Sequence, residues 1–230
     1  MKILAIIPAR GGSKGIEKKN IIDLCGRPLL DYTIKPALEV LRDNIISEVI
    51  VSTDCAEIAG IAQKSGVKVP FLRPKELAGD KSPSVEYVLH ALDFYQQQGI
   101  VFDTVLILQP TAPLRTYEDM KNSVKLFSNH SCDTLISAYK EEKLSDLIMY
   151  HCRNNFGIAL NKDHNKAIRR QDQNNIYVRN GAIYIATAEF VRKMKKLISD
   201  LPLLYEMPKS RSVNIDSYED LETARNILCK

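Results

Sequence analysis

A basic, glycine-rich segment follows the first apolar run of the chain, and its residue types favour anion binding. Residues 3 to 7 are apolar without polar alternation, which predicts a strand buried on both faces. Residues 8 to 20 then read PARGGSKGIEKKN. Glycines let backbone N–H groups approach an anion closely, and the arginine and lysines add positive charge. Because open α/β sheets bind ligands at the carboxyl ends of their strands, we predict a polyphosphate site in this loop.

Two familiar phosphate-binding motifs are absent from the segment. A P-loop places its lysine directly after its last glycine, whereas here Lys14 precedes Gly15 and Ile16 follows. The dinucleotide pattern G-x-G-x-x-G is also missing. A flexible glycine loop with solvated lysines is the alternative interpretation. The spacing of the basic residues Arg10, Lys14 and Lys19 favours the phosphate site.

Two further groups of polar residues are placed where chemistry could occur. Gln109 follows the apolar run 104 to 108, in a turn stiffened by two prolines. A glutamine donates and accepts hydrogen bonds at once, which suits a sugar hydroxyl. Asn214 and Asp216 alternate with apolar neighbours, so both lie on one face of an extended segment.

The intervening chain alternates between strand-like and helix-like patterns. Apolar runs predict strands at 49–52, 67–71, 104–108 and 134–138, with a returning strand at 180–185. Apolar stripes at helical spacing predict helices between them, one beginning at a capping-box-like pair, Asp54 and Glu57, and the last covering 218–228. This order implies right-handed crossovers and a doubly wound, mostly parallel α/β sheet. The 230 residues predict a single domain.

The composition excludes several classes of protein. The net charge of +4 comes from 32 basic and 28 acidic residues that are mixed along the chain, so no nucleic-acid partner is expected. No apolar run approaches the roughly 18 residues that span a bilayer, and the first residues lack a leader pattern. The five cysteines are scattered without a C-x-x-C pair. We therefore expect a soluble, cytoplasmic protein with reduced thiols and no membrane partner.

Residues 139 to 179 differ in character from the rest of the chain. They are polar, with short apolar pieces such as LIMY and FGIAL that cannot form a core alone. Since isolated hairpins are marginal in water, an inserted arm that pairs with a second subunit explains them. A flexible loop with solvated charge is the alternative.

Several motifs together resemble the CMP-sialic acid synthetases, the cytidylyltransferases that activate nine-carbon sugars. The first loop resembles their nucleotide-binding signature, and the resemblance continues in RPKELA, LQPTAPLR and NGAIY. The segment VNID resembles their I-D-I-D or I-D-V-D motif, whose two aspartates hold Mg²⁺. The resemblance covers nearly the whole chain and implies the nucleotide-sugar transferase fold and a homodimer.

The resemblance also implies a role for individual residues. The nucleotide would contact Ala9, Arg10, Gly11, Gly12, Lys14, Lys19, Asn20, Arg73 and Ser84. The sugar would contact Gln109, Arg170 and Tyr184, and catalysis would depend on Arg10, Lys14 and Asp216. Mg²⁺ would bind Asp216 and Asn214, where the amide of Asn214 replaces the first aspartate and brings no charge.

Structural roles are the alternatives for some of these residues. Arg73 could be a surface charge, Ser84 could follow a simple helix cap, and Tyr184 could be a core tyrosine. Asp216 could cap the final helix instead of binding metal. Arg115, at the end of the glutamine turn, is expected only to brace that turn.

The implied reaction is the transfer of CMP from CTP to the anomeric hydroxyl of N-acetylneuraminic acid or a legionaminic-acid-like relative, with release of pyrophosphate. Relatives specific for N-acetylneuraminate carry a lysine at the position of Leu147 and an aromatic pair at 197–198, so their absence here favours a more apolar sugar. A cytidylyltransferase for the eight-carbon sugar Kdo is one alternative. The other alternative is a nucleotide-binding module without catalysis, which Asn214 would indicate because it replaces the first aspartate of the metal motif.

Overall fold

A six-stranded sheet forms the centre of the fold. The structure, a computed structural model, describes residues 1–13, 15–166 and 175–229. In chain order the strands are β1 (Ile3–Pro8), β2 (Asp23–Leu24), β3 (Arg27–Pro28), β4 (Glu48–Ser52), β5 (Thr104–Leu108), β6 (Thr134–Glu141), β7 (Tyr150–Arg153), β8 (Phe156–Ala159), β9 (Ile176–Thr187) and β10 (Leu203–Glu206). The central sheet has the order β10-β6-β9-β5-β1-β4.

Most neighbouring strands of this sheet run parallel. β1 pairs in parallel with β4 and β5, and β6 with β10, whereas β9 runs antiparallel between β5 and β6. The predicted mostly parallel α/β sheet is therefore confirmed. The carboxyl ends of β1, β4 and β5 meet at one edge, which is where the loops singled out in the sequence emerge.

Helices cover both faces of the sheet. They are α1 (Asp31–Arg42), α2 (Ala56–Lys64), α3 (Ser84–Gln97), α4 (Tyr117–Ser128), α5 (Ala188–Met194) and α6 (Tyr218–Leu228). Alternate residues of β1 enter different cores: Ile3, Ala5 and Ile7 pack with α1, α2 and α4, while Leu4 and Ile6 pack with α3 and α5. Burial on both faces explains why this strand is apolar at every position.

A third, smaller core joins the two ends of the chain. Apolar residues of α6 pack against the β2–β3 hairpin, and Ile16 and Ile215 lie between them. Cys25 and Cys229 form a disulfide there, so the predicted state of five reduced thiols is wrong for these two residues. Cys55, Cys132 and Cys152 are free.

The strand predicted at 67–71 is also wrong. Only isolated bridges occur there, from Ile50 to Lys68 and from Thr53 to Leu72. Pro70 lies between the two bridges and has no N–H to donate to a ladder, which explains the interruption. Among the described residues, no helix is long and apolar enough to cross a membrane.

The segment predicted as an arm is built from two long strands and a hairpin. β6 and β9 continue together beyond the sheet, pairing from Ala138 with Arg179 to Glu141 with Ile176. β7 and β8 form a separate two-stranded hairpin. Its apolar side chains are exposed, with Phe156 at 76% and Ile158 at 49%. Residues 167–174 lie outside the described part of the chain.

Candidate active site

A cavity of about 480 Å³ opens at the carboxyl edge of β1, β4 and β5. Residues from four predicted motifs line it, together with the 79–84 region. The predicted site residues among them are Arg10, Lys19, Asn20, Arg73, Ser84, Gln109, Asn214 and Asp216. Elements from residue 8 to residue 216 therefore converge on one space.

Neighbouring strands hold the glycine loop in place. The Ala9 N–H donates to the Ser52 carbonyl at 3.0 Å, and the Gly11 N–H donates to Asp54 Oδ1 at 2.8 Å. The buried side chain of Asn20 donates from Nδ2 to the Arg10 carbonyl at 2.9 Å, which closes the loop on itself. Ala9 is fully buried, so its part in the site is structural support.

Asp54 is a site residue that the sequence interpretation missed. Its pattern with Glu57 predicted a capping box, but Cys55 is the N-cap of α2 and no side chain caps that end. The Asp54 carboxylate is instead used to orient the glycine loop. Gly11 is also constrained there, since a Cβ atom at this position would lie 2.9 Å from the Cys55 Cβ. Gly12 has open space around the same position.

The loop that carries residues 78 to 80 also lines the cavity and contacts the glycine loop through Arg10. Arg10 Nη1 donates to Asp80 Oδ1 at 2.7 Å and to the Ala78 carbonyl at 3.4 Å. The Arg10 guanidinium, which the sequence analysis assigned to a phosphate, is thus paired with the Asp80 carboxylate in this structure. Lys14, the second residue assigned to the triphosphate, lies outside the described residues.

The two ends of the chain meet at the floor of the cavity. Lys19 Nζ donates to the Ile215 carbonyl and to Asp216 Oδ1, both at 2.9 Å. Gly15 approaches the same segment so closely that a Cβ atom would lie 2.4 Å from the Asp216 carbonyl oxygen. Only glycine permits this approach, because a side chain would separate the glycine loop from the 214–216 segment.

Asp216 does not cap the final helix. The N-cap of α6 is Ser217, which forms a capping box with Asp220. The Asp216 side chain is 69% exposed and lines the cavity. The capping alternative is therefore wrong, and the metal assignment stays a prediction.

The oxygen donors around Asp216 fit a magnesium ion. Asn214 Nδ2 donates to Asp216 Oδ2 at 2.8 Å, and Asn214 Oδ1 is buried without a hydrogen-bond partner. Among the described residues, no cluster of three or more His, Cys, Asp or Glu side chains could hold a metal. Mg²⁺ suits such a sparse donor set, because it binds few protein groups and completes its octahedron with water and phosphate oxygens.

Arg73 is buried beside the cavity instead of lying on the surface. Its Nε donates to Ser52 Oγ at 3.0 Å and its Nη2 donates to the Ser52 carbonyl at 2.5 Å. The guanidinium lies 4.6 Å from the ring centre of Tyr87, a cavity residue that the sequence interpretation missed. Burial lowers the pKa of Arg73 and raises the pKa of Tyr87 to about 12, so the pair stays a cation over a neutral phenol. Ser84, at the start of α3, hydrogen-bonds to Tyr87.

The residues assigned to the sugar are not all at the cavity. Gln109 lines it and lies close to Asn214, since both side chains come within 4 Å of a Cβ built on Gly181. Tyr184 is half-buried in β9 against the second core and does not line this cavity. Burial raises its pKa, although Arg179, 5.8 Å from the ring centre, opposes the shift. Arg170 lies outside the described residues.

Comparison with protein families gives a match over almost the whole chain. A family model described as cytidylyltransferase matches residues 4–227. Pseudaminic acid cytidylyltransferase of Campylobacter jejuni subsp. jejuni serotype O:2 is 35% identical over 225 residues, covering 98% of this chain and 95% of that protein. CMP-N,N'-diacetyllegionaminic acid synthase of Legionella pneumophila is 35% identical over 237 residues, covering 94% and 92%. N-acylneuraminate cytidylyltransferase of Escherichia coli O18:K1:H7 is also 35% identical, but this chain covers 52% of it.

Solved structures of low sequence identity share the fold. CMP:2-keto-3-deoxy-manno-octonic acid synthetase in complex with CTP has a TM-score of 0.73 at 15% identity, covering 100% of this chain and 99% of that one. The 4-diphosphocytidyl-2C-methyl-D-erythritol synthase of Anaerococcus prevotii has a TM-score of 0.69 at 14% identity, with the same coverage. At these identities the likeness extends to the fold alone.

Proposed function

We propose that this chain, which belongs to the cytidylyltransferase family, transfers CMP from CTP to the anomeric hydroxyl of a nine-carbon 2-keto acid sugar and releases pyrophosphate. Three relatives at 35% identity are named for pseudaminic, legionaminic and N-acylneuraminic acids, all of this sugar class. The observation that carries the proposal is the convergence of Arg10, Lys19, Gln109 and Asp216 on one cavity. A basic loop, a sugar-binding amide and a carboxylate are the groups that the reaction requires.

The chemistry is an in-line displacement at the α-phosphorus of CTP. A bond forms between the anomeric oxygen of the sugar and the α-phosphorus, and the bond from the α-phosphorus to the bridging oxygen of the β-phosphate breaks. The proton of the anomeric hydroxyl is released to solvent water, and the bridging oxygen leaves with pyrophosphate. No covalent enzyme intermediate is needed, since positioning and neutralisation of charge supply the rate enhancement in such transfers. Arg10 and Lys14 bind the triphosphate and the departing pyrophosphate. To do so, Arg10 exchanges the Asp80 carboxylate, now at 2.7 Å, for a phosphate oxygen.

The proposal includes Mg²⁺ held by Asp216, with Asn214 as the neighbouring amide. A bound Mg²⁺ would supply Lewis-acid stabilisation of the negative charge on the triphosphate. Lys19 fixes the Asp216 carboxylate from the protein side at 2.9 Å. Gln109 orients the acceptor sugar beside this pair of residues.

Measurement of pyrophosphate tests the reaction. Purified protein is incubated with CTP, Mg²⁺ and, in separate reactions, N-acetylneuraminic, legionaminic and pseudaminic acids and Kdo. We expect release with at least one nine-carbon acid and little with Kdo. Release with Kdo alone would overturn the sugar class. CTP binding without pyrophosphate release in the presence of any of the four acids would identify a nucleotide-binding module without catalysis.

Replacement of Arg10 tests the assignment of the phosphate-binding loop. Because a charge-assisted hydrogen bond contributes roughly 1.5–3 kcal/mol, Arg10→Ala should lower kcat/KM for CTP by about 10- to 100-fold. Arg42→Ala is the matched control, since Glu39, at 4.0 Å, is the one ion-pair partner of its exposed guanidinium in the described part of the chain. Full turnover by Arg10→Ala would refute the assignment.

The hairpin arm, residues 139–179, is proposed to dimerise with a second copy of the chain. An isolated two-stranded hairpin with an exposed Phe156 is marginal in water, and pairing with another arm would bury its apolar side chains. Light scattering should give a dimer mass for the wild type and a monomer for Phe156→Asp. A monomeric wild type would overturn this part. The proposal also places the reaction in the cytoplasm, which cell fractionation tests.

A further inference from the structure

Arg115 is a buried cation that none of the described ion pairs includes. It is 2% exposed, and burial lowers its pKa to about 9. Its Nη1 donates to the Ala182 carbonyl at 2.6 Å and to the Gln109 carbonyl at 3.1 Å. Its Nη2 donates to Thr33 Oγ1 at 2.7 Å. The charge of Asp119 opposes this shift, but no carboxylate is within ion-pair distance of Arg115 among the described residues. A buried charge without such a partner is costly, so the groups that this one holds together are informative.

The two carbonyl groups bound by Arg115 flank the acceptor side of the cavity. Gln109 is the first residue after β5, and its side chain lines the cavity. Ala182 lies in β9 next to Gly181, where a Cβ atom would be 3.6 Å from Asn214 Oδ1. The guanidinium therefore joins the glutamine turn to the strand that supports Asn214.

The same turn holds the segment that carries Asp216. The Thr111 carbonyl, two residues after Gln109, accepts a hydrogen bond from the Ile215 N–H at 2.7 Å. Displacement of the turn would therefore move the backbone on which Asp216 lies. Arg115 thus supports both the glutamine and the carboxylate through backbone contacts alone.

Unpartnered polar atoms are concentrated around this turn. Four buried side-chain nitrogen or oxygen atoms of the described residues lack a hydrogen-bond partner, and three belong to Thr111, Arg115 and Asn214. Buried polar groups are usually satisfied, so such a concentration is typical of a functional site and not of a simple brace.

We propose that Arg115 is a positioning residue for the acceptor side of the reaction: it fixes the Gln109 turn and, through the Thr111 carbonyl, the 214–216 segment. The proposal rests on the proposed function for its kinetic consequences but not for its structural ones. Arg115 does not line the cavity and so acts without touching the substrates. The nucleotide side, anchored by Asn20 and Asp54, shares no hydrogen bond with Arg115 among the described residues and should be unaffected.

Kinetics with two variants and a matched control test this inference. Arg115→Met removes all three hydrogen bonds, and Arg115→Lys keeps a cation that can reach one carbonyl. Thr33→Val removes the contact to Nη2 and leaves both carbonyl contacts of Nη1. We expect Arg115→Met to lower kcat by roughly 100-fold and raise KM for the sugar, with KM for CTP changed less than about threefold, because small misplacements of reacting groups are costly. Arg115→Lys should be intermediate, and Thr33→Val should keep the wild-type kcat.

Hydrogen exchange tests the same inference independently of turnover. In Arg115→Met or Arg115→Lys, peptides covering 109–112 and 213–217 should exchange at least tenfold faster, while a peptide covering 3–8 stays protected. Unchanged exchange at 213–217 would overturn the proposal, as would kcat losses that parallel thermal stability in all three variants. If the wild type fails to release pyrophosphate with any acid, the proposed function fails and exchange still decides the positioning role. If Arg115→Met does not fold, the comparison of kcat and hydrogen exchange between Arg115→Lys and Thr33→Val decides.

Discussion

Replacement of Gly15 by alanine is the sharpest test of how the site is assembled. A Cβ atom at this position would lie 2.4 Å from the Asp216 carbonyl oxygen, whereas ordinary contacts begin at 3.4 Å. The glycine loop and the 214–216 segment would therefore have to separate by about 1 Å. The expected effect is steric, because the added methyl group would occupy the space of the Asp216 carbonyl oxygen.

That displacement would break the contacts of Lys19. Its Nζ lies 2.9 Å from both the Ile215 carbonyl and Asp216 Oδ1, and an added 1 Å takes both beyond hydrogen-bonding distance. Because a misplacement of this size costs about 100-fold in rate, we expect kcat to fall by that factor. Overpacking should lower the free energy of unfolding by about 1–3 kcal/mol. Pyrophosphate release and urea unfolding measure the two effects.

Gly60→Ala is the matched control. Gly60 lies within α2, and a Cβ atom there meets nothing within 4 Å. Alanine should be neutral or stabilise by up to about 1 kcal/mol, with kcat unchanged. If Gly15→Ala retains kcat within twofold of the wild type and unfolds at the same urea concentration, the close contact does not exist and this account of the site is refuted.

Three further predictions concern the metal site, one ion pair and the disulfide. Asn214→Asp places a second carboxylate beside Asp216, so Mn²⁺ affinity, measured by electron paramagnetic resonance, should rise by about tenfold, while stability in EDTA should fall through like-charge repulsion. Burial of Asp119 would raise its pKa, but hydrogen bonds from Arg211 and Thr116 outweigh it and hold the pKa low. Its stabilisation is thus complete above the unfolded pKa of about 3.9 and lost as the pH falls through the folded value, so in urea unfolding the deficit of Asp119→Asn should shrink below about pH 4. Cys25→Ser should cost about 2–4 kcal/mol in urea unfolding under oxidising buffer, and dithiothreitol should remove the difference from the wild type.

Each of these predictions has a contrary outcome. Equal Mn²⁺ affinities for wild type and Asn214→Asp would mean that residue 214 does not bind the metal. A deficit of Asp119→Asn that is constant from pH 7 to pH 3 would mean that its carboxylate charge does not contribute. Equal stabilities of wild type and Cys25→Ser without reductant would mean that the bond with Cys229 does not form in solution.

Local patterns predicted the sheet and the loops because they depend on residues near in sequence. The apolar run of β1 reports burial on both faces, and the apolar stripe that predicted a helix over 218–228 matches α6. The carboxyl-edge position of the glycine loop and of Gln109 follows from strand order alone. These parts of the site could be placed before any contact was known.

What could not be predicted depends on contacts between distant residues. Cys25 and Cys229 are 204 residues apart, and no spacing rule links them. The interaction of Asp54 with Gly11, and the burial of Arg73 against Tyr87, arise only when separate loops meet at the sheet edge. From the sequence, Tyr184 could be either a sugar-binding residue or a core tyrosine. In the structure it packs against the second core, because its position in β9 directs it to the side of the sheet that α3 and α5 cover.

The contact between Lys19 and Asp216 spans 197 residues. During synthesis the glycine loop leaves the ribosome early, but its partner emerges only with the last fifteen residues of the printed sequence. A chain that is interrupted before that point lacks both the carboxylate and the carbonyl groups that fix the loop. We therefore expect a chain that ends before Ile215 to lose cytidylyl transfer, even where the central sheet survives.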